Sequence, residues 1–180
     1  MPILSDPAKT ELLRLARDSI TAALRGRGPD EGAEPSEELL APAGAFVTLH
    51  EAGQLRGCIG TLEPRGPLHV AVSELARSAA FHDSRFPPVQ PDELGLLHLE
   101  ISVLSPLRRI EDPSEVAVGR HGLYIVQGPL RGVLLPQVAT DQGWDRDTFL
   151  AQTCRKAGLP PDAWKKGAEL YVFEAEVFGE

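Results

Sequence analysis

Residues 45–62 read AFVTLHEAGQLRGCIGTL. Alternating apolar positions on either side of Ala52–Gly53 predict a β-hairpin, with strands near residues 45–50 and 55–62. The second strand carries LRGCIG at residues 55–60, an arginine, a cysteine and two glycines where glycine ordinarily weakens a strand. Side chains alternate faces along a strand, so Leu55, Gly57, Ile59 and Thr61 are expected on one face and Arg56, Cys58 and Gly60 on the other. Arg56 and Cys58 then stand one strand repeat apart, about 7 Å. A guanidinium at that range favours an ionised sulfur, and Gly60 is expected to leave an open patch beside it. A two-residue loop would put Val47 opposite Cys58. A three-residue loop would put Thr48 opposite Cys58 and His50 opposite Arg56, and the sequence does not choose between these registers. The plainer reading is that Cys58 packs as a small apolar side chain and the glycines serve a bulge.

Outward from this hairpin, the chain alternates between helical and extended patterns. SDPAKTELLRLARDSITAAL, from residue 5, predicts a helix capped by Asp6, with Pro7 in its first turn and Leu12, Leu13, Ala16, Ile20 and Leu24 on one stripe. Residues 26–43, rich in Gly, Pro and Glu, are expected to be an exposed loop. A second helix follows Pro67, and LLHLEISVLSP alternates as a half-buried strand. HGLYIVQGPLRGVLLPQVA predicts a second hairpin stopped by Pro136. DRDTFLAQTCRKAG predicts a helix with Asp145 or Asp147 near its start, and AELYVFEAEVF a closing strand. Hairpins without a steady βαβ alternation mean an α+β fold, a mainly antiparallel sheet with helices packed on it. The 180 residues suffice for one domain, or one domain with a small second lobe.

The formal net charge of −8 sets nucleic acid aside as an expected partner. No apolar run has the length of a membrane span, and the first residues lack a basic segment followed by an apolar one, so a cytoplasmic protein with reduced thiols is expected. Two distant cysteines and five histidines without HxH or HxxxH spacing give no local metal site, and neither metal nor cofactor is expected. Walker, GxGxxG, GxSxG and HExxH patterns are absent.

Other candidates are few. His121 lies between glycines in GRHG, where a ligand can approach; a plain loop histidine is the alternative. FHDSRFPP places His82, Asp83 and Arg85 on a short loop, either as a polar wall of a site or as a tie to the end of the preceding helix. Arg131 in the second hairpin can bind an anion or lie solvated. Cys154 falls on an apolar helical stripe and is expected in the core.

LRGCIGTL, AAFHDSRFPP, LEISVLSP, GRHGLYIV and RGVLLPQVATDQGWDRDTFLAQTCRKAGLPPDAW, in that order, resemble the AMMECR-type domain, and more closely its bacterial form, AmmeMemoRadiSam system protein A. The resemblance spans residues 1–180 as a single domain and is weakest over 26–43. It implies a two-lobed α+β fold with a cleft between a larger and a smaller lobe. It also implies association with a radical-SAM protein and a Memo-type protein resembling extradiol dioxygenases. It implies no settled reaction. The expected function is therefore that of an accessory or ligand- and partner-binding protein, with Arg56, Gly57, Cys58 and Gly60 lining the cleft and His82, Arg85 and Arg131 contributing. The alternative is an enzyme or covalent carrier with Cys58 as nucleophile, Arg56 as anion clamp, backbone N–H groups near Gly57 and Gly60 as charge stabilisers, and His50 or His121 as base. A nucleic-acid-associated role is third.

Overall fold

The computed structural model describes residues 4–28 and 34–180. It is α+β, and the antiparallel pairing predicted from the hairpins is present as two four-stranded sheets rather than one. Two compact units each hold one sheet.

The first unit comprises the described residues up to Leu104 together with Glu176–Glu180. Its helices are α1 (Asp6–Leu24) and α2 (Leu68–Phe81). Its strands are β1 (Gly44–Glu51), β2 (Gln54–Thr61), β3 (Leu97–Leu104) and, from the end of the chain, β8 (Ala175–Gly179), in the order β2-β1-β3-β8. Leu12 and Ile20 of α1, Val72 of α2, Val47 and Leu49 of β1 and Leu99 and Ile101 of β3 are buried in one core. Ser5 rather than Asp6 caps α1, its hydroxyl accepting from the Ala8 N–H; this leaves Asp6 in the first turn, where a carboxylate suits the helix dipole. Part of the expected 26–43 loop, residues 29–33, lies outside the described residues. Beyond it the chain is docked rather than free: Leu39 is fully buried and its carbonyl meets the His69 ring.

The second unit, from Ser105 to Ala175, contains β4 (Arg108–Ile110), β5 (Gly122–Gln127), β6 (Leu130–Leu134), α3 (Pro136–Asp141), α4 (Arg146–Lys156) and β7 (Glu169–Phe173), with the sheet in the order β4-β7-β5-β6. Leu123, Ile125, Phe149, Leu150, Cys154, Leu170 and Val172 form its core. Asp145 caps α4 by accepting from the Thr148 N–H at 2.8 Å. Pro136 ends the hairpin and also opens α3, a position where its missing N–H costs nothing. The single closing strand expected over 168–178 is divided at Glu174, whose backbone pairs with Ser105, so β7 and β8 enter different sheets. Among the described residues, no helix is long and apolar enough to cross a membrane.

In the LRGCIG hairpin, the turn has two residues: Glu51 pairs with Gln54, and Ala52 and Gly53 both take positive φ, 49° and 76°. Yet Thr48, not Val47, faces Cys58. A bulge reconciles the two, because His50 faces Leu55 and Leu49 faces Gly57, leaving Arg56 without a ladder partner. The expected alternation therefore fails at Arg56. Leu55 shares the row of His50, while Gly57 shares the core row of Leu49.

Candidate functional site

The backbone N–H and C=O of Cys58 are both held by side chains at the open edge of β2. β2 is an edge strand, and at Cys58 its N–H and C=O point away from β1. The N–H donates to Asp83 Oδ2 at 2.9 Å, and the carbonyl accepts from Arg85 Nη2 at 3.3 Å. Two side chains thus supply what a neighbouring strand would supply. Arg85 in turn forks onto Asp83, with Nε to Oδ1 at 3.0 Å and Nη2 to Oδ2 at 2.7 Å, and its own N–H donates to Oδ1. Asp83 is buried, whereas Arg85 is half exposed. The Arg85 guanidinium, followed by the Cys58 and Arg85 N–H groups, outweighs burial and holds the Asp83 carboxyl far below the usual carboxylate range. The loop was readable as a tie to a helix end; its polar groups are instead spent on Cys58.

The sulfur of Cys58 is half-buried and receives the Thr48 hydroxyl at 3.2 Å. Register places Thr48 between Cys58 and Glu100, and His50 between Leu55 and His98. Val47, Leu49, Leu99 and Ile101 turn to the core, so Cys58, Thr48, His50, His98 and Glu100 belong to the opposite face of the sheet.

Arg56 differs from its expectation. It is only 8% exposed, and its guanidinium is forked onto Glu93, Nε to Oε1 at 2.8 Å and Nη2 to Oε2 at 3.1 Å. Nη1 is buried and makes no hydrogen bond among the described residues. Arg56 keeps the Glu93 carboxyl below its usual range. The bulge removes Arg56 from the strand repeat, and Glu93 takes up its charge, so it does not act on the sulfur as a free cation. The two glycines are also close-packed. The Ala79 carbonyl of α2 occupies the place a Cβ would take at Gly57, and the Phe46 ring occupies it at Gly60. The open patch expected beside the sulfur is thus filled by Phe46, and Gly57 serves helix packing.

His82 caps the end of α2 and is exposed beside Asp83. His121 and Arg131 belong to the other unit. The ring of His121 is buried, its Nδ1 accepting from the Ala117 N–H at 3.1 Å, which makes it a turn-closing residue rather than a base. Burial, then the nearby Arg120 charge, lowers its pKa below the ordinary 6.5. Arg131 is exposed and reaches only the Tyr124 hydroxyl, at 3.5 Å. Among the described residues, no group of three His, Cys, Asp or Glu is placed to hold a metal ion. Sequence reasoning missed Glu93 and the destination of Asp83, while Thr48 opposite Cys58 was one of the two registers it left open. The D-x-R spacing at Asp83 was a visible signal; Glu93, in PDEL, gave none.

The arrangement presents a thiol on a fixed peptide with one hydroxyl donor beside it. The AMMECR1 family model matches residues 13–178. A protein of Methanothermobacter thermautotrophicus is 45% identical, covering 99% of this chain and 97% of its own. Protein TK0174 of Thermococcus kodakarensis is 46% identical over 94% of this chain and 88% of its own. The crystal structure of the uncharacterized protein PH0010 from Pyrococcus horikoshii superposes with a TM-score of 0.92 at 41% identity, over 98% of this chain and 93% of that one. With a family model covering nearly its whole length and relatives of this closeness, the chain belongs to the AMMECR1 family.

Proposed function

We propose that the protein is a cytoplasmic accessory protein of the AmmeMemoRadiSam type. It binds a ligand or a partner at the Cys58 strand and acts with a radical-SAM protein and a Memo-type protein. The observation that carries the binding reading is the pinned Cys58 peptide. Asp83 and Arg85 hold its N–H and C=O, so the half-exposed sulfur is presented in one fixed position, as recognition requires. The sulfur's hydrogen-bond partner is a hydroxyl, which takes no proton at neutral pH, and this favours binding over a Cys58 nucleophile. The five sequence blocks around LRGCIG support the choice of partners.

Two measurements test the proposal. Alkylation of the native protein followed by mass spectrometry should label Cys58 well before Cys154, whose thiol is raised by burial in the core. Cys58→Ser and Asp83→Asn should then weaken capture of the purified radical-SAM and Memo-type proteins without loss of cooperative unfolding. Unchanged capture by both variants would defeat the proposal. Rapid stoichiometric Cys58 acylation by a thioester, with a burst of leaving thiol, would favour the covalent reading instead.

A further inference from the structure

A second surface belongs to the sheet of the Ser105–Ala175 unit, which does not contain Cys58. Ile110, Leu123, Ile125, Leu170 and Val172 turn one face of that sheet toward the core it shares with α4. On the other face a single row crosses all four strands: Arg109 of β4 pairs with Tyr171 of β7, Tyr171 with Tyr124 of β5, and Tyr124 with Val133 of β6. The two tyrosines sit on the central strands with ring centroids 5.8 Å apart, tilted by 46°, and both are half-exposed. In the next row lie Glu169, Val126 and Arg131. Arg109 is answered by Glu111 and Glu169, and the Tyr171 hydroxyl donates to Glu169 at 2.9 Å. Arg131 has no carboxylate partner among the described residues, and its hydrogen bond goes to the Tyr124 hydroxyl.

We propose that this face binds single-stranded nucleic acid, with bases stacking on Tyr124 and Tyr171 and Arg131 meeting a phosphate. Aromatic rings on the central strands of an open sheet offer π-faces to unstacked bases, and a free guanidinium at the edge supplies the anion contact. The acidity that sets nucleic acid aside for the whole chain does not reside here. Residues 105–175 hold nine basic and nine acidic side chains, whereas the rest of the chain holds nine basic and seventeen acidic. The −8 therefore belongs entirely to the other unit, and this one is neutral. A duplex keeps its bases stacked and does not fit a flat aromatic row. Glu169 lies on the same face and opposes phosphates, so binding is modest and strongly salt-dependent.

Fluorescence anisotropy of the full chain with labelled single-stranded oligo-U and oligo-A RNA of about ten nucleotides, a typical site size, tests this at low and physiological salt. Loss of one stacked base corresponds to at least about a fivefold loss of affinity. That loss is expected separately for Tyr124→Leu, Tyr171→Leu and Arg131→Gln, while Glu169→Gln strengthens binding. A duplex of equal length should bind more weakly than either strand. The proposal is overturned if the native protein fails to bind single strands at low salt, if the duplex is preferred, or if Arg131→Gln binds as the native protein does. The arginine variant carries the test should the tyrosine variants fail to unfold cooperatively, because Arg131 is exposed and its side chain hydrogen-bonds only to the Tyr124 hydroxyl among the described residues.

Discussion

The tripeptide Leu-Arg-Gly occurs three times: at residues 24–26 it ends α1, and at residues 55–57 and 130–132 it lies on the second strand of a hairpin with a two-residue turn, and these two strand copies compare directly. The leucines are equally exposed, at 41%. Both glycines are buried against a helix, Gly57 beneath the Ala79 carbonyl of α2 and Gly132 against the backbone of Ala157 after α4. The arginines diverge: Arg56 is buried on Glu93, and Arg131 is exposed. The cause is one residue of spacing. Gly132 is third after its turn and faces Ile125, third before it. Gly57 is fourth after its turn, so regular pairing would point it away from the core; the bulge at Arg56 absorbs the extra residue and returns Gly57 to Leu49 and the helix. What looks like a motif for an exposed arginine beside a thiol is, at Arg56, a register device whose side chain needed its own carboxylate.

Deleting each arginine gives the largest contrast. Removing Arg56 takes out the residue without a ladder partner, so Thr48 stays opposite Cys58 and Gly57 opposite Leu49. The shortened chain should still unfold cooperatively. Removing Arg131 slides Gly132, Val133 and Leu134 by one place and turns each to the wrong face. Its cost should exceed about 4 kcal/mol, read as loss of the cooperative urea transition. Equal damage from the two deletions would mean that the bulge is not what sets the register.

Truncation should reverse the order. Arg56→Ala leaves the Glu93 carboxylate partly buried without its fork and should cost about 2 kcal/mol. Arg131→Ala removes a solvated side chain and should stay within about 0.5 kcal/mol. Urea midpoints at neutral pH compare them directly; a silent Arg56→Ala would show that its pairing with Glu93 adds nothing to the fold.

The hairpins, α1, α2 and α4 were legible because each rests on local signals, alternation for strands and apolar stripes with caps for helices. The core place of Cys154 followed from the same stripe. What was not legible depends on partners distant in sequence. The bulge shows only in the pairing of Leu49 with Gly57, and the burial of Arg56 only in Glu93, 37 residues on. Phe46 over Gly60 is a contact across strands that composition does not reveal. Cys58 was identifiable as a special position, but its fixing groups, Asp83 and Arg85, read equally well as the end of a helix.

Asp83 gives a smaller effect with a defined pH window. Its carboxyl is held below the ordinary 3.8 by Arg85. A depressed folded-state pKa contributes stability above the unfolded value, and that stability is lost as pH falls below about 3.8, where only the unfolded chain takes up the proton. Asp83→Asn keeps an acceptor for the Cys58 N–H but not the charge, and should cost about 1 kcal/mol at pH 7. The deficit should shrink toward zero as pH is lowered below 3.8. A deficit constant down to strongly acid pH would mean that charge is not what joins the loop to β2.

His121 is the counterpart of Asp83 in the other unit, a buried polar side chain whose pKa is also lowered, but by desolvation first rather than by an ion pair. The sign is the same and the window is different. Above the ordinary 6.5, both folded and unfolded chains carry a neutral ring. As pH falls through 6.5 the unfolded chain is protonated while the folded ring stays neutral, since Nδ1 must remain an acceptor for the Ala117 N–H. Stability should therefore fall with decreasing pH below 6.5, by no more than about 1.4 kcal/mol per pH unit for one proton. His121→Asn offers an amide oxygen to the same N–H and does not titrate. Its unfolding curve should match the native one near pH 8 and be the more stable of the two near pH 5, whereas Asp83→Asn should show no such crossing in that range. If native and His121→Asn curves shift in parallel from pH 8 to 5, the Ala117–His121 turn does not depend on a neutral ring, and the acid sensitivity of the two units does not divide at these residues.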